Sequence, residues 1–298
     1  MPCRRAIGCV LLAMGCGVCP WAAGGPAPAE VVRHDLIMPG TASETDEWVK
    51  TGPEPGPVIV VIGGLHGDEV AGYKAADKLR EWTITRGKLV LIPEAHKQAI
   101  RRHVRAYPGD MNAMFPGDPD GTDMERLAHA IWEKIKEAQP GLLITLHESR
   151  GFRARDPHRY GQTLTHDFDV INPLVRRAIA RVNPSISPSL HQFRIFVKPI
   201  PTCPTYNAWK WLRIPATSIE TARPLPLDQR IRYQLMMLMG LFDEVGLGYE
   251  QSDVPRLPSA ARPAGTDLST YVSEVTHEQT SDVKPGEQSG EAKGPPPS

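Results

Sequence analysis

The fold is decided by the stretch Pro57-Val58-Ile59-Val60-Val61-Ile62, which runs into Gly63-Gly64-Leu65-His66-Gly67-Asp68-Glu69. An uninterrupted β-branched run of this length reads as a strand covered on both faces, and the two glycines punctuate its end. Val70, Tyr73, Ala76, Lys78 and Leu79 continue in a helix-compatible segment. Asp68 and Glu69 stand near its start, where the helix dipole favours acids. His66 and Glu69 therefore sit at the carboxyl end of a strand, where open α/β sheets place ligands. An H-x-x-E pair suits zinc, because a neutral imidazole and a carboxylate three residues apart can close on one ion. Taken alone, the pair reads first as a turn histidine and a helix-start acid. A site needs a third ligand and a base from elsewhere in the chain.

Outward from this stretch, Lys88 to Pro93 reads as a second strand, and an irregular segment rich in Gly and Pro follows to Gly121. Loops of that length in a compact domain are commonly functional. Thr122 or Asp123 caps a helix in which Met124, Leu127, Ala128, Ile131, Trp132 and Ile135 keep helical spacing up to Pro140. Gly141 to Glu148 is the next strand and ends on His147. Ser149 to Gly161 has no regular period and reads as a rim loop rich in arginine. Helix is expected over 172–182, strand over 192–199, a short helix over 206–212, a strand from Ile214 to Glu220, and a helix over 228–245. Upstream, Val31 to Met38 has an edge-strand pattern within a polar, proline-punctuated segment. Strands alternating with helices predict an α/β layer fold with one catalytic domain over 30–250. Beyond Tyr249 apolar residues thin out, and 251–298 reads as a disordered tail.

Lysine plus arginine equals aspartate plus glutamate at 34 each, which argues against a general nucleic-acid binder. The local run Arg101-Arg102-His103-Val104-Arg105 reads as a solvated face, except where one arginine is recruited. Four cysteines, Cys3, Cys9, Cys16 and Cys19, precede residue 20 and leave only Cys203 in the body, so a processed chain has no intramolecular disulfide. Residues 1–29 read as a signal peptide: Arg4 and Arg5 are the positive end, Ala6 to Val18 the short apolar centre, and small residues follow. The apolar run is short for a membrane span, so cleavage and export to a periplasm or the extracellular space are expected, with no stable span afterwards. Lipid attachment at Cys16 is a minor alternative.

Three strand ends thus carry His66 with Glu69, His147, and Glu220. In a shared sheet such ends converge although they are distant in sequence. Two histidines and a glutamate leave an open coordination position for water, as a hydrolytic zinc site requires. Glu220 would be free to accept that water's proton and pass it to a leaving amine. Singly, His147 also reads as a hydrogen-bonded strand-end histidine and Glu220 as a salt-bridged acid; their joint occurrence at strand ends favours the site.

The chain resembles the zinc metallocarboxypeptidase superfamily, and within it the succinylglutamate desuccinylase/aspartoacylase branch. The resemblance rests on Gly64-Leu65-His66-Gly67-Asp68-Glu69, Asp110-Met111-Asn112 with Phe115-Pro116-Gly117, Leu146-His147-Glu148, and Ile219-Glu220-Thr221. It implies a single zinc-carboxypeptidase-like domain with a mixed, mainly parallel central sheet flanked by helices. It also implies that His66, Glu69 and His147 bind one zinc ion and that Glu220 is general base and then acid. Arg105, seven residues before Asn112, would polarise the scissile carbonyl and stabilise the oxyanion, and Asn112 would orient the substrate.

The chain departs from this pattern at Ala113, where the family usually has an arginine that holds a substrate carboxylate. Alanine cannot replace a bidentate guanidinium. Either carboxylate recognition has moved, to Arg150, Arg153, Arg155, Arg159 or Arg223, or the substrate lacks that carboxylate. Tyr206, in the segment before the Glu220 strand, is a further candidate for substrate contact, although it reads first as a packed or surface tyrosine. The expectation is an exported zinc-dependent hydrolase that cleaves an amide bond of an N-acyl amino acid or small peptide. The alternatives are a murein-peptide carboxypeptidase or amidase, and a noncatalytic metal-binding pseudoenzyme.

Overall fold

A computed structural model describes residues 29–257. The expected signal peptide and most of the expected tail lie outside the described residues. The chain forms one mixed sheet in the order β1-β2-β4-β3-β5-β8-β6-β7, with β9 pairing β4. The strands are β1 (Val31–Ile37), β2 (Thr45–Thr51), β3 (Glu54–Ile62), β4 (Thr83–Ile92), β5 (Leu142–Ser149), β6 (Thr163–His166), β7 (Arg194–Val197), β8 (Ala216–Ala222) and β9 (Gly248–Glu250). The central four, β4, β3, β5 and β8, run parallel, while β2, β9 and β6 join them antiparallel. This is the expected mixed sheet with a parallel centre.

The helices are α1 (Val70–Lys78), α2 (Lys97–Arg102), α3 (Asp123–Ala138), α4 (Asn172–Val182), α5 (Pro204–Leu212) and α6 (Leu227–Val245). Successive strand residues point to opposite faces, so the apolar runs feed two cores. Ile59 and Val61 of β3 join Leu89 and Leu91 of β4 under α1, α4 and α6, where Ala76, Val175, Leu238 and Phe242 pack. Val60 and Ile62 join Val90 and Ile92 on the other face, under Leu127, Ile131 and Ile135 of α3 and Ala208 of α5. Burial on both faces is why these strands carry no polar alternation.

Thr122 is the cap of α3: its side chain accepts from the Glu125 N–H, and the Glu125 carboxylate accepts from the Thr122 N–H at 2.8 Å. Thr122→Ala is expected to lower stability by about 1 kcal/mol, read as a lower urea midpoint at unchanged slope.

Several elements carry no apolar signal. β2 and β6 fall in segments without an expected strand. β2 sits between β1 and β4 and buries Glu47 and Lys50, with Lys50 Nζ donating to Arg80 O at 2.7 Å and Lys134 Nζ 3.2 Å from Glu47. β6 is Thr-Leu-Thr-His, buried throughout by β7, β8 and the adjoining loops. The basic run at 101–105 begins in α2 rather than in irregular chain. Packed chain also passes the expected boundary at 250: Val254 is buried, and Asp253 accepts from Trp82 Nε1 at 2.7 Å and Lys78 Nζ at 2.8 Å. Among the described residues, no helix is long and apolar enough to cross a membrane.

Candidate active site

The β3–α1 loop is shaped by backbone contacts that only glycine permits. Gly64 has φ +70°, in the left-handed region, and a Cβ on Gly67 would lie 2.1 Å from the Ala99 carbonyl carbon of α2. The Gly67 N–H donates to Arg105 O at 3.2 Å, which ties the chain after α2 to this loop. Gly67→Ala is therefore expected to displace both His66 and Arg105, and to lower zinc stoichiometry on dialysis against limiting metal.

His66, Glu69 and His147 converge, each offering a ligand-type atom within 4.8 Å of the others; it is the one such group among the described residues. All three are buried. Glu69 lies between the imidazoles, with Oε1 2.9 Å from His66 Nδ1 and Oε2 2.8 Å from His147 Nδ1, and the Glu148 N–H donates to Oε2 at 3.0 Å. Burial would raise the Glu69 carboxyl, but the two imidazoles hold it well below the usual carboxylate range. Burial likewise works to lower both histidines. For His147 it prevails; for His66 the Glu69 charge and the Asp110 hydrogen bond overcome it and lift the ring to about 9. Glu69 is therefore held ionised between the two rings. His66 Nδ1 is buried and, although close to Glu69, has no aligned hydrogen bond. Two imidazoles and a charged carboxylate around one point, with one ring nitrogen unsatisfied, fit a single zinc ion.

Glu220 stands beside this trio because β8 pairs β5 in the register His147↔Glu220. Its carboxyl lines the same cavity and makes no hydrogen bond or ion pair with a described residue. Burial, and then the Glu69 charge, push it well above its ordinary value against the opposing fields of His66 and Arg105. Arg105 is half-exposed and reaches in from the other side, with Nη1 3.0 Å from Glu69 Oε1 and Nε 3.6 Å from Asp110 Oδ2. Asn112 also lines the cavity, and its buried Oδ1 has no partner. All six sequence-derived candidates thus border one cavity of about 400 Å³.

The structure separates the arginines named above as substitutes for the missing arginine at Ala113. Arg153 lies 3.4 Å over the Phe196 ring and donates to Pro157 O, and Arg155 lies 5.8 Å over Phe152; neither lines the cavity. Arg150, Arg159 and Arg223 do line it. Arg159 is paired with Asp156 at 3.1 Å and Arg223 with Asp68 at 2.9 Å, whereas Arg150 has no ion pair with a described residue. Tyr206 does not line the cavity and packs 5.1 Å from Phe168.

Three contacts had no separate sequence signal. Asp110 Oδ1 lies 3.2 Å from His66 Nε2, on the ring nitrogen opposite Glu69. An outer carboxylate of this kind fixes the orientation of a ligating imidazole. The Asp68–Arg223 pair ties the β3–α1 loop to the end of β8, and Glu148 is fixed beneath the site by Ala71 N at 2.9 Å and Arg230 Nη1 at 2.5 Å. The first was within a quoted motif, but the other two pair residues distant in sequence.

Residues 55–150 match the model of the succinylglutamate desuccinylase/aspartoacylase catalytic domain. The N-alpha-acetyl-L-2,4-diaminobutyric acid deacetylase of Halomonas elongata is 30% identical over 134 residues, which cover 40% of this chain and 38% of that enzyme. The fold is similar to that of Helicobacter pylori Csd4, a D,L-carboxypeptidase, with TM-score 0.63 and 19% identity over 66% of this chain and 52% of that one. It is also similar to a succinylglutamate desuccinylase/aspartoacylase from Rhodobacter sphaeroides, with TM-score 0.56 and 18% identity over 76% of this chain and 69% of that one. The chain thus spans well under half of the curated relative and about half of Csd4. Residues 55–150 are similar to the succinylglutamate desuccinylase/aspartoacylase catalytic domain, and the sheet and its flanking helices share the fold of these solved structures.

Proposed function

We propose that the chain is an exported zinc-dependent amide hydrolase acting on an N-acyl amino acid or small peptide, with a catalytic domain that begins at about residue 30 and extends past 250 to include Asp253 and Val254. The observation that carries this reading is the meeting of a His-Glu-His donor set with an unengaged carboxyl, Glu220, in one cavity. His66, Glu69 and His147 would hold the metal. Zinc there would supply Lewis acidity, lowering the pKa of water and polarising an amide carbonyl.

The chain's own residues supply the rest. Glu220 takes a proton from the attacking water as the new carbon–oxygen bond forms, and delivers it to the amine nitrogen as the carbon–nitrogen bond breaks. Arg105 stabilises the negative charge that develops on the carbonyl oxygen. Asn112, with its unpartnered Oδ1, accepts a substrate N–H and sets the orientation of the amide. The relative's deacetylase activity supports the reaction class. Export rests on residues 1–29 and is tested by recovery of the mature chain outside the cytoplasm.

The test of the reaction is hydrolysis, by purified zinc-loaded mature chain, of N-acyl amino acids and murein peptides in one panel. Selective turnover of one class supports the hydrolase reading and separates deacylation from murein trimming. No turnover by folded protein with stoichiometric zinc favours a metal-binding protein without catalysis.

A further inference from the structure

β1 is one end of the sheet, and among the described residues no strand pairs with its outer edge. An open row of backbone donors and acceptors invites another strand, so natural edges are usually short, bulged, or guarded by lysine or proline. β1 lacks these guards. It has seven residues, pairs with β2 through all seven without a shift in register, and contains neither lysine nor proline. It also carries Val31, Val32 and Leu36, large apolar side chains that are 65%, 48% and 43% exposed. The opposite end of the sheet differs: β7 has four residues, and Arg153 lies over its Phe196 ring.

The sequence of β1, Val31-Val32-Arg33-His34-Asp35-Leu36-Ile37, is symmetric in chemistry about His34. Two apolar residues stand at each end, and a cation and an anion flank the centre. Antiparallel pairing of two copies centred on His34 sets Arg33 opposite Asp35 of the second copy, and Asp35 opposite its Arg33. The same register sets Val32 opposite Leu36 and Val31 opposite Ile37. Opposed residues of an antiparallel pair are neighbours on one face, where opposite charges attract and like charges repel. Arg33 Nε already lies 2.6 Å from Asp35 Oδ2 on the strand's own face, and both side chains reach solvent, so a second such pair can join them without uncovering a buried charge. Other arrangements lose this match. A slip of two residues sets Arg33 on Arg33 or Asp35 on Asp35, and parallel pairing in register does both. An interface about a two-fold axis uses one surface twice and must be complementary to itself, as this strand is.

We infer that β1 is an interface with a second copy of this chain, giving a two-fold dimer in which the two sheets join edge to edge by antiparallel β1–β1 pairing centred on His34. No residue of β1 lines the active-site cavity, so the inference stands apart from the amide-hydrolase reading.

Sedimentation equilibrium of the mature chain tests it. One strand pair is at the small end of protein interfaces, so conversion from monomer to dimer is expected across roughly 1–100 µM. Arg33→Asp and Asp35→Arg each set like charges opposite one another at two places, and each should raise the dissociation constant by about tenfold or more. An equimolar mixture of the two variants restores both charge pairs, because one chain then carries two acids and the other two arginines, and it should recover the dimer. The double variant Arg33→Asp/Asp35→Arg should recover it as well. A chain that stays monomeric through this range, whether a terminal segment covers the edge or none does, overturns the inference. Dimerisation unchanged in both single variants places the interface elsewhere and also overturns it. If a charge variant does not fold, His34→Cys takes its place. Residue 34 faces its own copy across the axis, within the span of a disulfide, and Cys203 is buried. Mild oxidation should therefore give a covalent dimer of His34→Cys and not of Val197→Cys on β7; equal cross-linking from both positions overturns the inference.

Discussion

Glu220→Gln is expected to lower kcat by about 10²–10⁴-fold on whichever amide the chain cleaves, while one zinc ion per chain is retained. Glutamine has nearly the shape of glutamate and keeps the cavity wall, but it cannot take a proton from water at neutral pH. The Glu220 carboxyl makes no hydrogen bond or ion pair with a described residue, so the change leaves no buried partner orphaned. Stability should therefore hold within about 1 kcal/mol. The proposed metal ligands are other residues, although β8 sets Glu220 directly across from His147. The measurement is single-substrate turnover beside metal content by mass spectrometry. Turnover equal to wild type would remove Glu220 from the proton path. Loss of turnover together with loss of zinc would instead make it a prop for the metal group.

His147 could be picked out in the sequence for the same reason that the sheet could: a parallel strand buried on both faces is a near-continuous apolar run, and Leu142 to Leu146 ends conspicuously at His147. Glu220 closes a strand that is polar in part, Ala216-Thr217-Ser218-Ile219, and stands out only as the acid at its end. The turn after β3 was legible because glycines and ligand-type residues are adjacent there. Arg105 and Asn112 came through family likeness alone, since the segment that carries them has no period and α2 lies within it. β6 could not be read, because its four residues become a strand only where β7 and β8 pair with them. The exchange of Asp68 with Arg223 is hidden for the same reason, with 155 residues between the partners. The arginines after β5 were legible as a group and not individually: only tertiary contacts divide Arg153, stacked on Phe196, from Arg150 at the cavity.

If the proposed site holds zinc, His147→Ala is expected to abolish tight zinc binding, and with it the stabilisation that zinc is expected to give the wild-type chain. A ligand that binds only the folded state adds RT ln(1 + [L]/Kd), about 2.7 kcal/mol at a hundredfold excess over Kd. Wild-type Tm should accordingly rise with zinc and fall on chelation, whereas the variant should unfold at the same temperature under both conditions. The variant should also be less stable than wild-type chain in chelator. His147 Nδ1 is one of two donors to Glu69 Oε2, and its removal leaves a buried carboxylate with the Glu148 N–H on that oxygen and His66 as its remaining imidazole. A buried acid that loses a partner typically costs 1–3 kcal/mol. Two readouts thus bear on two different links: the metal-free difference reports the Glu69 network, and the zinc-dependent difference reports coordination. Zinc stabilisation that persists in His147→Ala would mean that the ion binds elsewhere, and the cavity would then need another explanation for its unsatisfied His66 nitrogen.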